Sequence, residues 1–161
     1  MVILPAEFQD AGEILALQHL AYQSEAALYD DYTIPPLRET LEQLQDDIRR
    51  EIVLKAVPDD RIVGSIRGVL VKETCHIARL IVHPDFQNQG VGTRLMQAIE
   101  AHFNMAGKYE LFTGERSERN LYLYGKLGYP VIWKQPQTEK VNLVFLEKTG
   151  LAYKGEEEKS R

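Results

Sequence analysis

The segment from Leu80 to Thr93 carries the clearest chemical signal in the chain, because an apolar strand there leads into a helix through two glycines. Pro84 prevents continuation of the strand beyond Val82. Gly90 and Gly92 have no Cβ, so the backbone can bend sharply and point its N–H groups at a ligand. The first turn of a helix also carries unpaired N–H donors and a positive dipole end, which favour phosphate or pyrophosphate. By itself, such a turn is as typical of a simple connection as of a ligand site.

Two common phosphate-binding motifs do not fit this turn. A Walker loop needs a lysine after its last glycine, where this chain has Thr93. A dinucleotide fingerprint needs a third glycine at position 95, which is Leu95. The pattern that fits is Gln-x-x-Gly-x-Gly at Gln87, Gly90 and Gly92.

A second motif lies downstream, where Asn120 to Tyr129 reads Asn-Leu-Tyr-Leu-Tyr-Gly-Lys-Leu-Gly-Tyr. The interval between the two motifs fits one helix, one strand and the start of another helix. Together the motifs resemble those of the GNAT superfamily of N-acetyltransferases. The resemblance covers roughly His76 to Tyr129, whereas the N-terminal third is similar only in the order of its elements.

The resemblance implies that acetyl-coenzyme A binds at the glycine turn. The turn would hold the pyrophosphate with backbone amides, and the end of the preceding strand would pair with the pantetheine arm. Asn120 would hydrogen-bond the pantetheine or phosphate region; its alternative role is a helix cap, although Ser117 is available as the cap. The residues implied in coenzyme binding are Leu80, Ile81, Val82, Gln87, Asn88, Gln89, Gly90, Val91, Gly92, Thr93 and Asn120.

Tyr124 is the candidate for assisting the departing thiolate. The family places a tyrosine beside the sulfur at this point of the motif, which favours Tyr124 over Tyr122. A phenol has a pKa near 10 and an alkyl thiol one of roughly 8–9, so proton transfer between them would be nearly balanced. The alternative is that Tyr124 only packs against the helix.

The general base is not fixed by the sequence. Many family members carry a glutamate on the strand before the turn, but no carboxylate follows Glu73 there. His76 could serve, because its unperturbed pKa is near 6.5, and strand parity would put it on one face with Leu80 and Val82. A histidine satisfied by the core is the competing interpretation. Glu73, the acidic pair Asp30–Asp31 and a chain of waters are further options.

The acceptor pocket is expected at Tyr29, Asp30, Asp31 and Tyr32, between the first two predicted helices. Carboxylates between aromatic rings would suit a cationic amine, although solvated loop acids are the more common explanation. Cys75 is expected to be an apolar filler. No histidine or cysteine spacing typical of a metal site occurs, so we predict none.

Hydrophobic periodicity predicts the elements that position these residues. The predicted order is strand, two helices, three strands, helix, strand, helix and two strands. Short turns between the three consecutive strands favour an antiparallel meander, and the later alternation favours parallel crossovers. We therefore expect an α/β (mixed α+β) fold, with a GNAT-like central sheet of six to seven strands flanked by about four helices. One domain should span residues 1–153, with a charged, flexible tail over 154–161.

Composition limits the function classes. The formal charge of −5 and the 44% hydrophobic content are typical of a globular protein without a broad nucleic-acid footprint. No apolar run is long enough to span a membrane, no signal peptide is evident, and the single cysteine excludes an intrachain disulfide. A cytoplasmic location is the expectation. The oligomeric state is open, a homodimer being one option.

The sequence thus predicts transfer of an acetyl group from acetyl-coenzyme A directly to an amine, on a small molecule or a peptide. Two alternatives stay open. The missing strand carboxylate favours a coenzyme-binding regulatory module without turnover, while the tyrosine argues against it. An acyltransferase using another acyl-coenzyme A would carry the same motifs.

Overall fold

A seven-stranded mixed sheet organises residues 1–151, the part of the chain described by the computed structural model. The strands are β1 (Val2–Pro5), β2 (Ile52–Val57), β3 (Gly64–Val71), β4 (Thr74–Val82), β5 (Lys108–Gly114), β6 (Val131–Pro136) and β7 (Asn142–Thr149). Their spatial order is β1-β2-β3-β4-β5-β7-β6, and all neighbours are antiparallel except β4 and β5. The predicted α/β class and strand number are confirmed.

Helices cover both faces of the sheet. They are α1 (Ala11–Ala21), α2 (Gln23–Tyr29), α3 (Pro35–Arg38), α4 (Leu41–Arg50), α5 (Val91–His102) and α6 (Glu118–Lys126). On one face, Leu95, Met96 and Ile99 of α5 are fully buried against β3 and β4. On the other face, α1 and α4 enclose a smaller apolar cluster that includes Ile14 and Leu44. Each helix stripe therefore buries the side of the sheet that it covers.

The N-terminal part contains more helices than the periodicity predicted. The first predicted helix is interrupted at Tyr22. Next to that break, the side chains of Gln23 and Ser24 donate to the carbonyls of His19 and Ala21, competing with the helical backbone for these acceptors. The predicted domain end at 153 and the charged tail over 154–161 lie outside the described residues.

The sheet opens between β4 and β5. The two strands pair in parallel over Thr74–His76 and Lys108–Glu110 only, and then separate. Beyond this point, residues 77–82 of β4 and 111–114 of β5 have no partner across the gap. Unpaired strand edges expose backbone donors and acceptors that must be satisfied by another group.

A β-bulge in β4 determines what faces this opening. The β3–β4 register shifts between Ser65 and Arg67, and Arg79 adopts a left-handed backbone with φ of 54°. The extra residue reverses the alternation of side chains along the strand. The prediction that His76 shares a face with Leu80 and Val82 is therefore wrong, because it assumed an unbroken period of two.

A buried polar cluster fixes the N-terminal helices to the sheet. Arg67 of β3 is 4% exposed, and its guanidinium donates to Glu39, to Asp47 at 2.9 Å and to the Gln18 side chain at 2.8 Å. Gln18 in turn donates to the carbonyl of Pro36 at 2.9 Å. Burial alone would raise the pKa of the Glu39 carboxyl, but the hydrogen bonds and charge of Arg67 outweigh it and lower that pKa. The cluster joins α1, α3 and α4 to β3.

This cluster predicts a pH-dependent contribution to stability. A lowered folded-state pKa means that Glu39 stabilises the fold above its unfolded pKa of about 4.3, and that this stability is lost as pH falls through the folded value. Glu39→Gln should reduce the free energy of unfolding by about 2 kcal/mol at pH 7. The difference from the parent should narrow below about pH 5. Urea titrations at several pH values measure this, and a gap that widens on acidification would contradict the assignment.

Candidate active site between strands β4 and β5

A long groove of about 1360 Å³ runs along the start of α5. The described residues that line it come from the ends of α1 and β4, from α2, from the turn before α5, from the loop after β5 and from α6. Its charged side chains balance, since Arg116, Arg119 and Lys126 are matched by Glu25, Glu115 and Glu118. Net charge therefore gives this groove no strong preference for an anion, and any such preference must come from oriented backbone donors.

The turn before α5 supplies those donors. The N–H groups of Val91, Gly92 and Thr93 lie in the first turn of the helix and have no acceptor within it. The first helical hydrogen bond runs from the N–H of Arg94 to the carbonyl of Gly90 at 3.0 Å. Gly90 has φ of 81°, where a side chain would strain the backbone. Asn88 also adopts a positive φ, of 62°, and asparagine tolerates that conformation better than most residues. Helix α5 therefore presents its N-terminus to the groove.

Ten of the residues predicted for coenzyme binding lie along the same surface. The groove is lined by Leu80, Ile81, Val82, Gln87, Asn88, Gly90, Val91, Gly92, Thr93 and Asn120. Gln89 differs, because it does not line the groove and its side-chain amide donates to the carbonyl of Asp85 at 3.2 Å. The structure thus gives Gln89 a role within the turn.

Backbone groups of β4 point into the opening. The N–H of His83 donates to the Val63 carbonyl at 2.8 Å, on the β3 side. The direction of the backbone hydrogen-bonding groups alternates along a strand. The N–H and C=O groups of Ile81 therefore also face β3, whereas those of Leu80 and Val82 point away from β3. These two residues therefore present unpaired backbone donors and acceptors to a ligand lying in the opening.

A smaller inner cavity of about 210 Å³ continues from the groove between β4 and β5. Its described lining includes Ile77 and Ala78 on β4, Leu111 on β5 and Tyr124 on α6. Tyr22, Glu25, Leu80 and Asn120 line both the groove and the cavity. The two spaces therefore meet at the point where the strands separate.

Tyr124 faces the inner cavity. Its side chain is 6% exposed, and its ring packs edge-on against Tyr129 at 6.3 Å between centroids. Burial raises the pKa of the Tyr124 phenol, and the neighbouring Tyr22 and Glu25 raise it further. The phenol is therefore protonated at neutral pH and can donate a hydrogen bond. Tyr122, two residues earlier, is 75% exposed and lies outside the cavity.

Polar bonds hold the start of α6 in place. The Asn120 amide donates to the Thr113 hydroxyl at 3.2 Å. Ser117 occupies the cap position, as expected, but its side chain makes no capping bond. The Ser117 hydroxyl instead donates to the Glu25 carboxylate and bonds the Tyr29 hydroxyl, which lies 2.9 Å away. These contacts tie α2 to α6 across the mouth of the cavity.

Only one member of the predicted acceptor segment reaches the cavity. Tyr29 is buried in its lining and accepts a hydrogen bond from the backbone N–H of Arg116 at 2.9 Å. The remaining members, Asp30, Asp31 and Tyr32, do not line it. Asp30 points to solvent with its side chain 94% exposed, and Tyr32 is 56% exposed. Hydrogen bonds from Thr33 occupy Asp31 and lower the pKa of its carboxyl.

The structure also separates the strand candidates for a base from the cavity. His76 is exposed and lies before the point where β4 and β5 part, so it is not brought together with Tyr124. Glu73 lies in the turn before β4, where its carbonyl accepts from Gly107 at 2.7 Å. Cys75 is fully buried in the core, and burial raises the pKa of its thiol to about 12.

The cavity residues that the sequence analysis missed include Tyr22, Glu25 and Arg79. Tyr22 and Glu25 belong to the first predicted helix, whose periodicity gave no reason to expect that this part faces a cavity. Arg79 enters the lining through the β4 bulge, which no pattern in the sequence indicated. The available signal was the spacing of three residues between Tyr22 and Glu25, which puts a phenol and a carboxylate on the same face of a helix.

Within residues 1–151, no helix is long and apolar enough to cross a membrane. The same residues contain no group of three histidine, cysteine, aspartate or glutamate side chains arranged to hold a metal ion.

The fold is shared with known acetyltransferases. PaiA N-acetyltransferase from Thermoplasma acidophilum, solved in complex with coenzyme A, superposes with a TM-score of 0.76 at 17% identity, over 92% of this chain and 99% of that chain. Ribosomal-protein-S18-alanine N-acetyltransferase from Escherichia coli gives a TM-score of 0.75 at 14% identity, over 92% of each chain. At these identities the likeness concerns the fold.

Sequence comparison adds the family. UPF0157 protein YqkA of Bacillus subtilis (strain 168) is 31% identical over 119 residues, which are 74% of this chain and 34% of YqkA. The chain thus spans about a third of that relative's length. The model of the Acetyltransferase (GNAT) family matches residues 15–129. Because this match covers most of the chain, the protein belongs to the GNAT acetyltransferase family.

Proposed function

We propose that the protein transfers an acetyl group from acetyl-coenzyme A to an amine acceptor. The observation that carries this proposal is the continuity of the long groove with the inner cavity at the opening between β4 and β5. A coenzyme lying in the groove would pass its pantetheine arm through the opening. Its thioester would then reach the cavity next to Tyr124, where an amine can approach from the other side.

The donor would be held mainly by backbone groups. The N-terminus of α5 supplies N–H donors and a positive dipole end for the pyrophosphate. The edge of β4 at Leu80 and Val82 would hydrogen-bond the amides of the pantetheine arm, which satisfies the strand groups left unpaired by the opening. Asn120 would contact the same arm, a role supported by its position in the lining of both spaces.

The chemistry requires a neutral amine, because only its free lone pair can attack the thioester carbonyl. A bond forms between the amine nitrogen and the carbonyl carbon, and the carbon–sulfur bond then breaks. The nitrogen loses a proton, and the sulfur leaves as a thiolate that must be protonated or hydrogen-bonded. Tyr124 is suited to donating a hydrogen bond to the thiolate, because its buried phenol stays protonated. Its raised pKa makes complete proton transfer less favourable than the near balance expected for an unperturbed phenol.

We assign proton acceptance to Glu25. It lines both spaces, its carboxylate is fixed by the Ser117 hydroxyl, and its charge acts on the Tyr124 phenol. A carboxylate from α2 would thus replace the strand glutamate that the sequence lacks. Its presence argues against a module without turnover, because the cavity contains a candidate base.

Turnover with defined substrates tests the proposal. Purified protein incubated with acetyl-coenzyme A and a panel of amines should release free thiol in proportion to an acetylated amine detected by mass spectrometry. Propionyl- and succinyl-coenzyme A compare acyl groups, and the 210 Å³ cavity favours the acetyl donor. Binding of coenzyme A without product from any amine would instead support the regulatory module.

Tyr124→Phe tests the role of the phenol. The change keeps the ring and its packing against Tyr129, so stability and coenzyme affinity should change little. The turnover number should fall by at least about tenfold and by as much as ~10²–10⁴. Loss of kcat without a change in the donor's dissociation constant marks a role in the transition state.

Tyr122→Phe is the matched control, because its exposed side chain belongs to the lining of the outer groove and not to that of the inner cavity. At saturating acetyl-coenzyme A it should retain the parent's turnover number. If Tyr124→Phe also kept that rate while single-turnover measurements showed acetyl transfer to be rate-limiting, the phenol would have no part in the reaction.

A further inference from the structure

We infer that the acceptor is a small zwitterion, an amine that also carries a carboxylate or phosphate, and that Arg79 binds this anionic group. The inference rests on the proposed acetyl transfer and names the class of its acceptor. It starts from Arg79, a cation in the lining of the inner cavity for which the proposed chemistry has no use.

Arg79 has no partner within the described residues. Its Nε atom is buried and makes no hydrogen bond, and its guanidinium forms no ion pair with a residue from 1 to 151. The nearby carboxylate of Glu39, whose pKa responds to the charge of Arg79, is already bonded to Arg67 and Gln18. A buried donor without an acceptor is costly, and a ligand atom that accepts from it recovers that cost.

The charges of the cavity match a zwitterion. Of the described residues that line it, only Glu25 and Arg79 carry a charge. Glu25 would meet the ammonium group and take its proton, as the proposed reaction requires. Arg79 offers a planar set of N–H donors, which suits the paired oxygens of a carboxylate or a phosphate. An acceptor with both groups would satisfy both side chains at once.

The cavity size limits the acceptor. A volume of about 210 Å³ lies below the roughly 300–1,000 Å³ typical of sites for drug-sized ligands. Apolar side chains such as Ile34, Pro35 and Leu143 form other parts of the wall. A compact molecule of amino-acid size, with its charges at one end and an apolar remainder, fits this combination.

The β4 bulge places Arg79 near the proposed reaction centre. Arg79 has a left-handed backbone, with φ of 54°, at the bulge. It directly precedes Leu80, whose backbone faces the opening. The charge of Arg79 also acts on the buried phenol of Tyr22, where it partly offsets the rise in pKa caused by burial. An anionic group bound by Arg79 would therefore lie in the same cavity as the amine that is acetylated.

Matched acceptors test the inference. The twenty amino acids are compared with their carboxamides, and 2-aminoethyl phosphate with ethanolamine, in the acetyl-coenzyme A assay. The parent should favour the anionic member of the productive pair by about ten- to a hundredfold in kcat/KM, mainly through KM. Arg79→Gln should abolish this preference by slowing only the anionic acceptor, and Arg79→Lys should restore part of it. A preference for carboxylates over phosphates, or the reverse, identifies the group.

Arg50→Gln is the matched control, because this arginine lies on α4 with its side chain 74% exposed. It should leave the preference unchanged. Equal use by the parent of the anionic and the neutral member in every pair, carboxylate and phosphate alike, would overturn the inference while leaving acetyl transfer intact. An equal loss of kcat for both members of a pair in Arg79→Gln would also overturn it, because that pattern places Arg79 on the oxyanion of the reaction itself.

Equilibrium binding keeps the two proposals separate. With coenzyme A bound, calorimetric titration with the same pairs should show tighter binding of the anionic member to the parent and not to Arg79→Gln. If no amine is acetylated but this difference in affinity is found, acetyl transfer fails and the anion site stands. If the anionic member of no pair binds more tightly to the parent than to Arg79→Gln, the anion site fails.

Discussion

The separation of β4 from β5 is the constraint on which the rest of the site depends. Two parallel strands that stay paired would bury their backbone groups in the sheet. Here the pairing ends at His76 and Glu110, and the freed edge becomes one wall of the inner cavity. The helix after β4 then begins at the mouth of the opening, and the helix after β5 brings Tyr124 to its interior. One interrupted ladder therefore aligns the N-terminus of α5 with a buried phenol.

Buried polar contacts complete the cavity on its other side. Arg67 holds the N-terminal helices against β3, and the Ser117 hydroxyl connects Glu25 and Tyr29 to the start of α6. Tyr29 in turn requires Gly114 on β5, since a Cβ there would overlap its hydroxyl. These contacts matter for the proposed function, because α2 supplies Glu25, the proposed base, whose position relative to the Tyr124 phenol must stay fixed.

The sequence predicted those parts of the site that depend on local patterns. The glycines of the turn, the helix after it and the tyrosine of the second motif are encoded by short spacings with a clear physical meaning. The acceptor side was predicted less well. Asp30 and Asp31 stood out by composition, yet loop hydrogen bonds and solvent occupy them, while Glu25 lies within a helix that showed no special pattern. Arg79 depended on a bulge, and a single extra residue reverses strand parity without leaving a signal in the periodicity.

The central claim is that the coenzyme occupies the opening between β4 and β5, and amide hydrogen exchange with and without coenzyme A tests it most directly. The account predicts that coenzyme A slows exchange in peptides covering Leu80 to Val82 and Val91 to Thr93, because the N–H groups of Leu80, Val82 and the first turn of α5 would gain acceptors. Peptides from β1 and from the edge strand β6 serve as internal controls and should be unchanged. Binding of coenzyme A without protection of the β4 segment would contradict the account.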